Sequence, residues 1–128
     1  MVDEKELINA AIEASKKAYA PYSNFHVGAA LLTKSGKIFQ GCNVENASFG
    51  ATNCAERTAI FSAVVNGETK FEKLVIYVDR KEFTPPCGIC RQVISEFSHD
   101  IEIILANNCG EVKRTNIREL LPLSFELN

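Results

Sequence analysis

Apolar and polar positions along the first half of the chain switch between a helical period and strand-like runs. Segment Asp3–Ala18 carries its apolar side chains on one helical face, which predicts an amphipathic helix with Asp3 as its N-cap. The apolar run Phe25–Thr33 predicts a buried strand that turns back into Lys37–Cys42 as a hairpin. The polar segment Asn43–Asn53 is predicted to be a loop.

The second half of the chain continues to alternate helices with strands. Helices are predicted over Cys54–Val65, Cys87–Phe97 and Asn116–Leu121, and strands over Leu74–Val78, Ile101–Ala106 and Glu111–Arg114. The charged run Arg80-Lys81-Glu82 is predicted to be a solvated loop. This alternation implies a sheet covered on both faces, with antiparallel pairs at the hairpin. We therefore predict one α/β domain over residues 1–128, a three-layer α/β/α sandwich on a mixed five-stranded sheet.

Composition narrows the class of protein. The 128 residues are 46% hydrophobic and 23% charged, as expected for a globular domain that folds. With 14 basic and 16 acidic side chains the net charge is -2, which disfavours a nucleic-acid partner. We see neither an N-terminal signal nor an apolar run long enough for a bilayer, and we expect a cytoplasmic protein without a membrane partner. Five cysteines in such a chain favour metal binding or catalysis over disulfides.

Three of the cysteines stand at predicted helix starts. Cys87 and Cys90 form a C-x-x-C motif, which alone is equally typical of a redox pair, half of a structural zinc site, or chance. Cys54 opens another helix and can supply a third thiolate. Three protein ligands leave one open position, which is typical of a catalytic Zn²⁺.

Glu56 lies two residues after Cys54, in the same first helical turn. A carboxylate beside the open position of a zinc ion is placed to act as general acid and base. By position alone, an equally good interpretation is a first-turn carboxylate that simply favours the helix dipole.

The spacing of these residues matches a known signature. Cys54-Ala55-Glu56 together with Pro86-Cys87-Gly88-Ile89-Cys90 is similar to the zinc deaminase pattern, with Cys in place of His and with Glu as the proton carrier. Further blocks of the same family are Ala18–Ser23 (AYAPYS), Val27–Leu32 (VGAALL), Gly41–Ala47 (GCNVENA), Cys54–Ala59 (CAERTA) and Pro86–Val93 (PCGICRQV). From Ala18 nearly to its C-terminus, the chain resembles the cytidine deaminases of the small homotetrameric, zinc-dependent type.

The resemblance implies a function and a set of site residues. The implied reaction is hydrolysis of cytidine and 2'-deoxycytidine to uridine and 2'-deoxyuridine with release of ammonia, a step of pyrimidine salvage. It also implies one zinc per subunit and a homotetramer. Glu56 would carry all the protons of the reaction. The implied contacts to the nucleoside are the side chains of Asn43 and Glu45 for the sugar, Phe25 for the pyrimidine face, and backbone groups around Ala47 and Ala55.

Two aromatic residues are implied to act across a subunit boundary. The family often has Tyr where this chain has Phe49, so a hydroxyl that can reach a neighbouring subunit's substrate is missing. Phe125 lies in a C-terminal block that resembles the family's ending, whose aromatic residue reaches an adjacent site.

The net negative charge of the predicted metal site must be offset by nearby positive groups. Three thiolates and one zinc ion sum to about -1, and such an electron-rich zinc acidifies its water less than a His-ligated one. We predict that Arg57, one helical turn from Cys54, donates to the thiolates together with the two helix N-termini. Arg91, next to Cys90, is a second candidate.

Other functions stay open on the sequence alone. A deaminase of another small cytosine compound, such as blasticidin S, would keep the same cysteines and glutamate, but it would not need the Asn43 and Glu45 pair. A non-enzymatic zinc module would need a fourth ligand, for which Cys42 and Cys109 are the remaining cysteines. A deaminase that edits nucleic acid is disfavoured by the net charge.

Overall fold

The computed structural model describes residues 2–127, which form four α-helices and a mixed five-stranded sheet. The helices are α1 (Glu4–Ser15), α2 (Ala55–Val65), α3 (Gly88–Phe97) and α4 (Ile117–Leu120). The strands are β1 (Val27–Thr33), β2 (Ile38–Cys42), β3 (Phe71–Val78), β4 (Glu102–Ala106) and β5 (Val112–Asn116). The predicted α/β fold on a mixed five-stranded sheet is confirmed.

The strands lie in the order β2-β1-β3-β4-β5. Strand β1 is antiparallel to both β2 and β3, and β5 is antiparallel to β4. Only β3 and β4 are parallel among the described strands, and α3 supplies the crossover that a parallel pair requires. The chain that leaves the carboxyl end of β3 therefore leads directly into the N-terminus of α3.

Each face of the sheet packs on different helices. On one face, Leu7 and Ala11 of α1 pack against Ala30, Val75 and Ile104. On the other face lie apolar side chains of α2, α3 and α4, namely Ala55, Ala59, Ile60, Ala63, Ile94 and Ile117. The sheet is thus covered on both faces, and the N-termini of α2 and α3 lie on the same side.

Two strand glycines allow the helices to approach the sheet closely. A Cβ on Gly28 would lie 1.9 Å from the carbonyl oxygen of Ala11 in α1. A Cβ on Gly41 would lie 2.3 Å from the carbonyl oxygen of Ala55 and 2.4 Å from the nitrogen of Ala59. Because these neighbours are backbone atoms, they cannot move aside as a flexible side chain would. Gly41 therefore sets the position of the first turn of α2.

Several predicted boundaries of helices and strands are wrong. Helix α1 has the predicted N-cap, since the Asp3 carboxylate accepts a hydrogen bond from the nitrogen of Glu6 at 2.8 Å, but it ends at Ser15 instead of Ala18. The chain then extends so that Tyr19 bridges Val44.

Strand β1 begins at Val27 instead of Phe25, because the backbone there bonds to the side chain of Asn43. Strand β3 begins at Phe71 instead of Leu74, through a bulge opposite Thr33.

The C-terminal elements and the central loop also differ from the prediction. Strand β5 runs from Val112 to Asn116 instead of Glu111–Arg114, and α4 covers Ile117–Leu120 within the predicted helix. The predicted loop contains a short 3-10 helix over Phe49–Ala51.

Candidate active site

Three cysteine sulfurs meet where α2 and α3 begin. Cys54 is the N-cap of α2, Cys87 is the N-cap of α3, and Cys90 lies in the first turn of α3. Their sulfur atoms all lie within 4.8 Å of one another, and Cys54 Sγ is 3.7 Å from Cys87 Sγ. That separation is far beyond a disulfide bond of about 2.05 Å. It matches the distance of about 3.8 Å between two sulfurs bound at about 2.3 Å to a tetrahedral zinc.

The hydrogen bonds of this cluster favour a thiolate. A hydrogen bond from Cys90, followed by bonds from Arg57 and Cys87, lowers the pKa of Cys54 to about 5. The pKa of Cys90 is raised, first because its thiol donates to Cys54. Soft anionic sulfurs at two helix N-termini are the donor set that zinc prefers. The remaining described cysteines, Cys42 and Cys109, lie outside this cluster.

Arg57 and Arg91, the arginines beside the two cysteine motifs, have different hydrogen-bond partners. Arg57 Nη2 donates to Cys54 Sγ at 3.5 Å and to the carbonyl of Thr52 at 3.4 Å. Its Nε is buried and has no hydrogen-bond partner among the described residues. Arg91 instead donates to two carbonyl oxygens, those of Pro86 and Leu120, each at 2.8 Å. Arg57 thus approaches the thiolates, whereas Arg91 ties the start of α3 to the end of α4.

Glu56 is a buried carboxyl on the wall of a cavity. Its side chain lies in the first turn of α2 and only 4% of its surface is exposed. Burial is the main cause that raises its pKa to about 7. A carboxylate that served only the helix dipole would gain nothing from burial, whereas a carboxyl with a near-neutral pKa in a cavity is suited to proton transfer.

This cavity, of about 540 Å³, brings most of the predicted site residues together. It is lined by Phe25, Asn43, Glu45, Cys54, Ala55, Glu56 and Cys87, together with Ser23, Val27, Thr52, Asn53, Arg80, Thr84 and Pro85. Its volume lies in the range of cavities that enclose small molecules.

Asn43 faces this cavity and also fixes the chain before β1. Its Oδ1 accepts a hydrogen bond from the nitrogen of Val27 at 2.9 Å, and its Nδ2 donates to the carbonyl of Phe25 at 2.7 Å. One N–H of the amide is left for a ligand, because an Asn amide nitrogen carries two donors.

Glu45 holds the neighbouring turn. One carboxylate oxygen accepts from the nitrogens of Tyr22 and Ser23 at 3.0 and 3.1 Å, and the other accepts from the hydroxyl of Ser23. The hydroxyl of Ser23 is the main cause that lowers the pKa of Glu45. An ionised carboxylate has about four acceptor positions, so one remains for a ligand.

Three predicted residues do not line the cavity of this chain. Ala47 is exposed, and Phe49, 81% exposed, lies in an adjoining groove that shares Ser23, Glu45 and Thr52 with the cavity. Phe125 is 67% exposed, and its carbonyl accepts a hydrogen bond from Gln92 at 3.0 Å.

Arg80 is a cavity residue that the sequence prediction missed. Residues 80–82 form an exposed loop as predicted, but Arg80 also lines the cavity, and its guanidinium carbon lies 4.5 Å from the centre of the Phe25 ring. The available signal was topological. Arg80 is the second residue after the carboxyl end of β3, and in α/β sheets ligands bind at the carboxyl ends of parallel strands.

Comparison with known proteins agrees with this geometry. Residues 1–106 match the family model described as the cytidine and deoxycytidylate deaminase zinc-binding region. The chain belongs to this deaminase family. A relative from Halalkalibacterium halodurans, named cytidine deaminase, is 46% identical over 97% of this chain and 95% of its own length. The crystal structure of a cytidine deaminase from Burkholderia pseudomallei superposes with a TM-score of 0.93 at 49% identity, over 97% of this chain and 100% of that one.

A more distant member of the deaminase family has another substrate in its name. A blasticidin-S deaminase from Bacillus cereus is 37% identical over 96% of this chain and 92% of its own length. Relatives of this chain at 37–46% identity thus carry names with different substrates. Within residues 2–127, no helix combines the length and apolarity needed to cross a membrane.

Proposed function

We propose that this protein hydrolyses cytidine and 2'-deoxycytidine to uridine and 2'-deoxyuridine, releasing ammonia. One observation carries the proposal: the buried carboxyl of Glu56 shares a cavity with the sulfurs of Cys54 and Cys87 and with the Asn43 and Glu45 pair. The relatives and solved structures that are named cytidine deaminases support the same substrate.

Cys54, Cys87 and Cys90 would hold one zinc ion through their sulfur atoms. When bound, zinc supplies Lewis-acid catalysis and lowers the pKa of the water that replaces the amine. The positive ends of α2 and α3 stabilise the thiolates, and the guanidinium of Arg57 adds a positive charge beside Cys54. These positive charges offset the negative charge of the three thiolates, so that a bound zinc ion would still lower the pKa of its water.

Glu56 would move the protons. Its carboxylate takes a first proton from the attacking water and delivers it to N3 of the pyrimidine ring. It then takes the proton that remains on the new hydroxyl at C4 and hands it to the amine, which leaves as ammonia while the C4 carbonyl forms. A carboxyl whose pKa lies at about 7 can both accept and release a proton near neutral pH. Burial also keeps bulk water from exchanging with the protons in transit.

The remaining cavity residues would bind the nucleoside. The free N–H of Asn43 and a free acceptor position of Glu45 are complementary to a ribose hydroxyl, which both accepts and donates. The ring of Phe25 offers an apolar surface to the pyrimidine. Backbone groups around Ala55 and Ala47 are proposed to contact the base and the sugar.

We also infer the assembly and the cellular setting. A homotetramer would place Phe49 and Phe125, which are both exposed here, at the cavities of neighbouring copies. Residues 1–128 would form one catalytic domain, since β5 pairs with β4 and Ile117 lies in the shared core. Free cysteines in a metal site suit a reducing compartment, which supports a cytoplasmic location.

Deamination of blasticidin S is the second candidate, and it rests on the relative that is 37% identical. The Asn43 and Glu45 pair favours nucleosides over it. A non-enzymatic zinc module is less favoured, because a closed structural site has no use for a buried carboxyl with a raised pKa.

The decisive experiment follows ultraviolet absorbance of zinc-loaded protein with cytidine, 2'-deoxycytidine and blasticidin S. We expect turnover of both nucleosides and little of blasticidin S. The matched variant Glu56→Gln should bind the same amount of zinc and lose at least about 10³-fold in kcat, the scale of a missing general acid and base. Zinc-loaded wild-type protein that leaves cytidine unchanged would refute the proposal.

A further inference from the structure

Phe25 is fixed along its main chain on both sides. Its nitrogen donates to the hydroxyl of Ser23 at 3.0 Å, and its carbonyl accepts from Asn43 at 2.7 Å. Part of its side chain packs against the core cluster on the α2 side of the sheet, and part lines the cavity. The main-chain bonds place the Cα atom but do not determine the side-chain torsions. Core packing restricts the ring on one side, and a contact on the cavity side would restrict its angle further.

Arg80 makes such a contact. Its guanidinium carbon lies 4.5 Å from the centre of the Phe25 ring, within the range of a cation–π interaction. Arg80 is exposed, and over the described part of the chain its guanidinium forms no hydrogen bond and no salt bridge, so no described side chain competes with the ring for it. A planar guanidinium is also the cation that stacks best on an aromatic face.

The backbone that carries Arg80 is held in place. The carbonyl of Arg80 accepts a hydrogen bond from the nitrogen of Asn108 at 3.0 Å. The next carbonyl, of Lys81, accepts from the side chain of Asn107 at 2.8 Å, and Asn107 is only 4% exposed. The side chain of Arg80 therefore reaches the ring from an anchored position, and less conformational entropy is lost than from a free loop.

We propose that Arg80 is a positioning residue that orients the Phe25 ring at the nucleoside cavity and so lowers KM. This inference rests on the proposed function. The guanidinium covers part of the ring and limits its rotation, so the substrate meets a ring already oriented. Arg80 forms no hydrogen bond or ion pair with Glu56 or with the cysteine sulfurs, and its loss should leave kcat unchanged.

The test compares Arg80→Gln with Arg80→Lys and with Lys81→Gln in zinc-loaded protein. Arg80→Gln should raise the KM for cytidine about two- to fivefold at constant kcat, the size of an exposed cation–π contact. Arg80→Lys keeps the charge and should restore part of the effect. Lys81→Gln removes the same charge from the adjacent exposed residue and should change neither constant. An equal rise in KM for Lys81→Gln, or no rise for Arg80→Gln, would overturn the proposal.

A double-mutant cycle with Phe25→Leu tests whether the effect passes through the ring. If it does, Arg80→Gln adds nothing to the KM of Phe25→Leu. If Arg80→Gln and Phe25→Leu raised KM independently, so that their effects added in the double variant, the positioning role would be contradicted.

A readout that needs no turnover separates this proposal from the proposed function. The Nε–H proton of Arg80 should resonate upfield in the wild-type NMR spectrum because of the ring current, and return to its ordinary position in Phe25→Leu. If the wild type proved inert towards cytidine, the proposed function would fail, whereas the ring contact would still be read from this shift. In that case the dissociation constant for cytidine from equilibrium dialysis replaces KM, and an unshifted proton or an unchanged constant in Arg80→Gln overturns the inference.

Discussion

Arg57 Nη2 lies 3.5 Å from Cys54 Sγ, across a single turn of α2. Removal of this donor by Arg57→Ala should weaken zinc binding about 10- to 100-fold, as is usual when a group that hydrogen-bonds a metal ligand is lost. Competition with a chromophoric zinc chelator measures the change. Arg57→Lys keeps the positive charge and should recover part of it. Zinc affinity and pH dependence of turnover that stay unchanged in Arg57→Ala would refute the proposed charge offset.

Gly41 permits α2 to rest directly on β2. We expect Gly41→Ala to cost about 1–3 kcal/mol in free energy of unfolding, because the added Cβ meets backbone atoms at 2.3 and 2.4 Å. Urea denaturation measures the loss. Gly50→Ala is the matched control, since a Cβ there has no neighbour within 4 Å. Similar unfolding midpoints for the two variants would show that α2 can move away from the strand without cost.

Asn43 satisfies backbone groups on either side of the step into β1. Asn43→Ala should lower the free energy of unfolding by about 1–3 kcal/mol for each backbone group left unpaired, since the side chain is only 8% exposed. Asn43→Asp keeps the acceptor for the nitrogen of Val27 and removes the donor to Phe25. Its second carboxylate oxygen would face the carbonyl oxygen of Phe25, so its unfolding midpoint should also fall below that of the wild type. An alanine variant as stable as the wild type would contradict these bonds.

Glu4 and Arg114 join α1 to β5 through paired hydrogen bonds, one of them 2.6 Å long. The guanidinium is the main cause that lowers the pKa of Glu4 in the folded protein. A lowered folded-state pKa stabilises the fold above the unfolded-state pKa of about 4.3, and the contribution disappears as pH falls through the folded value. Arg114→Gln should therefore reduce the urea midpoint at neutral pH and match the wild type in strong acid.

Lys113→Gln is the matched control for this pair, because it removes one exposed positive charge from the adjacent residue. Its urea midpoint should stay close to that of the wild type over the same pH range. If the urea midpoint of Arg114→Gln stayed as far below that of the wild type in strong acid as at neutral pH, the lost ion pair with Glu4 would not be the cause.

The sequence predicted the elements of this fold better than their ends. The apolar runs of β1 and β4 are almost continuously buried, so their pattern was strong. Strand β3 was predicted too short because it begins with Phe71-Glu72-Lys73, where charged residues interrupt the apolar run. Lys73 pairs with Glu102 on the neighbouring strand at 3.6 Å, a contact that only the sheet register supplies.

In the site, too, residues within one local motif were predicted from the sequence, whereas contacts between distant parts of the chain were not. The residues around Cys54 and Cys87 could be selected because each motif lies within one helical turn. Arg80 could be selected only by its place after β3, because its contact with Phe25 joins the end of β3 to the segment before β1, and no spacing along the chain encodes that contact. The roles of Phe49 and Phe125 depend on neighbouring copies and stay predictions.

The cysteine cluster has a mechanical consequence beyond its chemistry. Its sulfurs come from two helix starts, and Cys54 and Cys87 lie 33 positions apart in the chain. A single ion bound to both would cross-link the chain and close a long loop that contains all of α2 and β3. Loss of the ion would therefore release the two helix starts from each other, so that the protein would lose part of its resistance to unfolding at the same moment as its catalytic power.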